Sequence, residues 1–193
     1  ELRFLDNRTG ISATYWDGSE TNIPYPVSVS GYSGYSSIYV NNGKISKQGI
    51  DFTLNIQPLE MDNLEWALSG IISFLIKNEI IRITEDVDRF VVHKQIPWMG
   101  STPDMVHAVG HTWGELFGSG MKMYNGKPEL DPEGSYIADP EKYFGSVLPD
   151  ITGGFQNTFR VMKRFTLVAN LDYQVGGKYF SISDFWGTYS GLT

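Results

Sequence analysis

The 193-residue sequence contains no cysteine. Disulfides, thiolate nucleophiles and cysteine-based zinc sites are therefore excluded. It also lacks any uninterrupted apolar run of about 18 residues, the length that marks a membrane-crossing helix. Basic charge is scarce: 15 Lys and Arg stand against 22 Asp and Glu, giving a net charge of −7. Neutralising phosphates takes a basic face, so nucleic acid is not an expected partner. The opening ELRFLDN has neither the charged nor the apolar region of a signal peptide. It reads as the end of a strand entering a turn, and the chain is expected to be a fragment of a longer protein. There is no G-x-S-x-G and no Gly-rich phosphate loop followed by Lys-Ser/Thr. Enzyme activity is not expected, and no cofactor is implied.

What the sequence does have is aromatic residues, at 14%, and 21 glycines. Val, Ile, Thr, Tyr and Phe recur in short runs bounded by Gly, Asn, Asp and Pro, which predicts an all-β chain. Ile50, Phe52, Leu54 and Ile56 alternate with Asp51, Thr53, Asn55 and Gln57, the cleanest period-2 stretch in the sequence. Strands are expected at about 1–5, 11–17, 49–57, 64–75, 154–161 and 165–175, with 75–82 open between a short helix and a strand extension. An aromatic tail around Phe185, Trp186 and Tyr189 follows. Long loops are expected at about 19–48 and 84–150, in one domain. Alternation of short turns with long connections suits an antiparallel up-and-down meander, as in an outer-membrane barrel. A soluble β-sandwich with one wet face, here a carbohydrate-binding module, would show the same periodicity. On the polar side, Asn55, Gln57, Asn157, Asn170 and Gln174 suit a wet lumen as well as bulk solvent.

The closing third carries a more specific signal. GSVLPDITGGFQNTFRVMKRFTLVANLDYQVGGK (145–178) resembles a recurrent segment of SusC/RagA-type TonB-dependent outer-membrane receptors. The matching positions are Gly145, Ser146, Pro149, Asp150, Gly153, Gly154, Phe155, Asn157 and Phe159, then Asp172, Tyr173, Gln174, Gly176 and Gly177. FLDNRTGISATYWD near the start, and Asn42, Gly43, Ile45, Gly49, Ile50 and Phe52 further on, are similar to two other stretches of that family. The resemblance implies a partial section of the later part of a large plugged β-barrel with long external loops; barrels of that class have about 22 strands. It further implies an outer-membrane location, surrounding lipid, import of glycans or peptides, a SusD-like lipoprotein lid and energy from the TonB system. Plug, TonB box and final strand are absent from these residues. In such a barrel Phe165, Leu167, Ala169, Leu171 and Tyr173 are expected to face lipid. Thr166, Asn170, Asp172 and Gln174 are expected to face the lumen, with Val168 breaking that pattern.

Four aromatics in the long connection are candidates for ligand contact: Trp98, Trp113, Phe117 and Tyr124. Flat rings stack on sugar faces, although packing the loop on itself would use them equally well. His107, His111 and Glu115 stand four apart, which on a helix would line up three metal ligands. Gly110 and Gly114 make a helix there poor, and no glutamate follows His107 as the zinc-protease motif requires, so no metal site is assigned. The pairs Asp131/Glu133 and Asp139/Glu141 read as solvated turns, since an EF-hand's remaining ligands are missing.

Overall fold

The computed structural model describes residues 1–94 and 102–192. Its strands are β1 (Leu2–Phe4), β2 (Thr9–Ser28), β3 (Ser37–Met61), β4 (Leu64–Arg82), β5 (Arg89–His93), β6 (Asp104–Ala108) and β7 (Glu115–Met121). They continue as β8 (Met123–Tyr124), β9 (Lys127–Pro128), β10 (Ala138–Ser146), β11 (Pro149–Val161) and β12 (Phe165–Gly176), before the helix α1 (Ile182–Tyr189). One sheet has the order β1-β2-β3-β4-β11-β12, a meander interrupted once, between β4 and β11. A second has the order β10-β7-β6-β5, and β8 pairs with β9. The residues divide into two compact units. One comprises Glu1–Thr21, Ile45–Asn78 and Pro149–Gly176; the other comprises Asn22–Lys44, Glu79–Leu148 and Gly177–Thr193.

In the first unit the register sorts side chains by chemistry, because directly opposed residues of antiparallel strands share a face. Rows across β4, β11 and β12 read Trp66–Phe159–Leu167, Gly70–Phe155–Leu171 and Ile72–Gly153–Tyr173 on one side. Glu65–Arg160–Thr166, Ser69–Gln156–Asn170 and Ser73–Thr152–Gln174 lie on the other. Val168 falls among the polar rows, opposite Thr158, whose other neighbour is Ala67. Asn157 departs from the sequence reading. It belongs to the apolar row Leu68–Asn157–Ala169, where the Trp66 indole N–H donates to its Oδ1 at 3.3 Å. On the polar side Ser69 Oγ donates to Asn55 Oδ1 (2.7 Å), and Arg160 pairs with Glu65 (3.1 Å).

The glycines of the resembling motif are explained by close approach. A Cβ on Gly153 would come within 2.6 Å of the Tyr173 ring and 2.7 Å of the Ile71 carbonyl oxygen. One on Gly154 would come within 2.5 Å of Asp172 Oδ1. The tyrosine and aspartate of one strand thus occupy the space that side chains on the other would need.

Two expected loops are largely strand. The 19–48 connection shrinks to residues 29–36, since β2 runs on to Ser28 and β3 starts at Ser37. Pro24 and Pro26 pointed to a loop, yet they stand two apart, so both ring nitrogens face the same side of β2. The short β1 pairs only with Thr9, Gly10 and Ile11. Farther along, β2 can direct those nitrogens to a side that needs no donors. Residues 75–82, left open between helix and strand, continue β4. The supposed loop 84–150 holds the four-stranded sheet. Its glycines suggested turns, but Gly118 sits within β7, where a Cβ would come within 3.1 Å of the Pro103 backbone. The aromatic tail forms α1, capped by Ser181, whose hydroxyl accepts from the Asp184 N–H.

The core of the second unit includes Tyr25, Ile80, Ile83, Val106, Ala108 and Leu116. Its inserted segment is closed by a staple at residues 110–114. Ile80 donates to the His111 carbonyl (3.0 Å) and accepts from Gly110 (2.8 Å). From the other side Val147 donates to the Gly114 carbonyl (3.0 Å), and Ser146 Oγ donates to that of Trp113 (2.7 Å).

Candidate functional site

The candidate aromatics lie in the second unit, and the structure separates their surroundings. Trp113, between β6 and β7, packs its indole against His107 with ring centroids 5.0 Å apart. His107 is buried on β6, directly opposite Phe90 of β5. Its Nδ1 lies 2.8 Å from the Tyr25 hydroxyl, and Nε2 is buried without a partner among the described residues. Burial pulls this imidazole down to about 4, so the ring is neutral at pH 7.

Phe117 sits on β7 with Asp104 of β6 and Tyr143 of β10 as its register partners. The Arg89 guanidinium lies 4.2 Å from its ring centroid, close enough for a cation–π contact. Arg89 also approaches Glu141 at 3.8 Å. On the other side Tyr143 packs against Phe117 at 4.9 Å and stacks on His111 at 4.0 Å, with an interplanar angle of 19°. His111 Nδ1 in turn lies 2.7 Å from Glu115 Oε2. Charged groups therefore bracket a row of half-buried rings. Such a row offers apolar ring area beside fixed donors and acceptors, the combination that binds small polar molecules.

Tyr124 lies apart from this row. It is 71% exposed on the β8–β9 hairpin, whose Asn125-Gly126 turn has positive φ at both residues. No ring pair joins Trp113, Phe117 and Tyr124 among the described residues. Trp98 lies outside the described residues. His107, His111 and Glu115 do not share a helix face: β6 ends at Ala108, Gly110 takes φ 78°, and β7 begins at Glu115. Among the described residues no three His, Asp or Glu side chains converge as a metal site would need. Asp131 caps its own turn, accepting from the Ser135 N–H at 2.7 Å.

Tyr25, Tyr143 and Arg89 were missed in the sequence. Tyr25 stands between two prolines and Tyr143 inside an acidic stretch, so neither showed a strand pattern. Three further tyrosines went unremarked: Tyr32, Tyr35 and Tyr39, at and just beyond the β2–β3 connection.

Comparison with known proteins adds to this geometry. No protein-family model matches the chain. TonB-dependent receptor P3 of Formosa agariphila is 24% identical over 199 residues, covering 92% of the chain and 20% of that receptor. The RagAB peptide transporter structure superposes with a TM-score of 0.66 at 19% identity, over 89% of the chain and 20% of its own. The chain is similar to a section of a SusC/RagA-type receptor. The RagAB peptide importer in its open-open state gives a TM-score of 0.62 at 19% identity. The section spans about a fifth of the length of the relatives it matches. Its all-β fold matches a partial section of those larger chains.

Proposed function

We propose that the chain forms part of the wall and external loops of an outer-membrane receptor that imports glycans or peptides. The observation that carries this is the segregation of β4, β11 and β12 into an apolar and a polar face. Phe155, Phe159, Leu167 and Leu171 line one face; Gln156, Arg160, Asn170 and Gln174 line the other. A barrel wall between lipid and a wet lumen needs that division. A soluble sandwich would need a second layer over the apolar face, yet Phe165 and Leu167 are 69% and 65% exposed. The role is non-enzymatic. A SusD-like lipoprotein docks outside, the TonB system supplies energy, and the Phe117–Tyr143 row contributes to ligand capture.

The test uses the full-length receptor in native membranes. An antibody against residues 126–143 is expected to detect an outer-membrane band several times larger than 21.7 kDa, with mobility that changes on boiling. A soluble band at 21.7 kDa would overturn the proposal and favour an independent module. Single cysteines in a cysteine-free background then separate the faces. A fluorophore at Leu171→Cys is expected to be quenched by brominated lipid, and one at Asn170→Cys is not.

A further inference from the structure

The β2–β3 connection combines an ordered backbone with bare side chains. Ser33 donates its N–H (2.9 Å) and its hydroxyl (2.8 Å) to the Ser30 carbonyl. Gly34, in the left-handed region at φ 79°, donates to the Gly31 carbonyl at 3.2 Å. Val29 closes the connection by donating to Ser36. On this turn Tyr32 is fully exposed, and Tyr35 and Tyr39 are 70% and 74% exposed. None of the three makes a ring pair or a phenol hydrogen bond among the described residues.

Charge is absent too. Residues 21–43 hold no Asp, Glu, Lys, Arg or His, in a chain where 19% of residues are charged. At the margin of the stretch Lys44 follows it directly, and Arg82 donates to the Asn42 carbonyl (2.8 Å), three residues past Tyr39. An ionic ligand losing water here would find no counter-charge on the turn. A protein partner is ordinarily met with a polar rim that includes charged groups and with Arg among its anchors, and this turn has no charged residue to supply either. A neutral, hydroxyl-rich chain meets neither difficulty. Tyrosine rings stack on its C–H faces, while phenol, serine and Asn41 side chains exchange hydrogen bonds with its hydroxyls. Because the turn is preformed and tyrosine has few rotors, little order is lost on binding.

We propose that Tyr32, Tyr35 and Tyr39 form a capture site for neutral glycan chains, separate from the Phe117–Tyr143 row. This rests on the reading of the protein as an outer-membrane receptor, with the turn outside the cell. It goes beyond that reading by choosing uncharged saccharides over anionic ones and peptides.

The experiment is calorimetric titration of the full-length receptor in detergent. The probes are maltoheptaose, xylohexaose and laminarihexaose, with hexagalacturonate and a mixed decapeptide as charged comparators. At least one neutral oligosaccharide is expected to bind. The Tyr32→Ala/Tyr35→Ala pair is expected to weaken it about tenfold or more, and Tyr32→Phe/Tyr35→Phe by less, since the rings remain. Neutral binding unchanged in the alanine pair would overturn the proposal. So would binding of the charged comparators alone, binding of none of the neutral probes, or loss of a co-purifying lipoprotein with sugar binding intact. Heat-modifiable mobility, read on the same samples, keeps the two ideas apart. A heat-modifiable barrel with unaltered sugar binding defeats the capture site alone, whereas its absence defeats the receptor reading beneath it.

Discussion

At the scale of single residues, His107 makes the second unit sensitive to acid. It faces the Tyr25 phenol, the Phe90 ring and the Trp113 indole, none of which offers a negative charge near neutral pH. Its folded value of about 4 lies below the ordinary 6.5, so the unfolded state binds the proton first. Stability is complete above pH 6.5 and falls as pH drops toward 4, by about 3 kcal/mol at most. Hydrogen exchange on the full-length receptor is expected to show β5–β7 losing protection between pH 7.5 and pH 5. His107→Phe should flatten that response; an equal response in both proteins would assign it to other groups. Gly153 is sensitive to bulk instead. A valine there meets the Tyr173 ring and the Ile71 carbonyl, and should cost about 2 kcal/mol or more in urea unfolding of the lipid-embedded barrel. Adding Tyr173→Ala should restore only part of this, because the carbonyl stays. The motif marked Gly153 and Tyr173 in the sequence, but that they are cross-strand partners needed the register. Tyr25 and His107 were opaque for a related reason: 82 positions separate them, and local pattern carries no trace of such a pair.

Among the elements, the β11–β12 hairpin is the most legible. Its alternation, its basic turn and its two faces can all be read from the residues, because one register fixes which side every residue takes. The turn stores some strain: Met162 and Lys163 have φ of 53° and 56°, in the left-handed region that non-glycine residues resist. Lys163→Gly is expected to stabilise the hairpin by up to about 1 kcal/mol, visible as a higher urea midpoint. A lower midpoint would show that the unfolded chain's added freedom outweighs the relieved strain. The ends of β2 and β3 were less legible, since serines and prolines there share an extended backbone without a repeating apolar side. The four-stranded sheet was hidden for another reason. Its strands are short, and β6 buries Val106, His107 and Ala108 in succession, so no alternation marks it.

For the whole molecule, the exposed β12 and the short β1 are the two edges of an open sheet. Open edges and bare apolar faces recruit other chains. Expressed alone, residues 1–193 are expected to sediment as aggregates in plain buffer and to disperse only in detergent. A monodisperse monomer without detergent would contradict a barrel origin. The staple at residues 110–114 bears on how such a wall assembles. Phe74 and Ile151 are register partners, yet 76 residues of chain lie between them. For a floppy connection, closing so wide a gap carries an entropic penalty that grows with the logarithm of its length. Here Ile80 and Val147 are both tied to one five-residue stretch, so the inserted segment, once formed, shortens the gap that β4 and β11 must close. The inserted segment is then expected to form before β4 and β11 pair, insertion first and strand pairing second. Replacing residues 84–145 with a Gly-Ser chain of equal length should therefore slow barrel closure in refolding, even where the finished wall is unchanged.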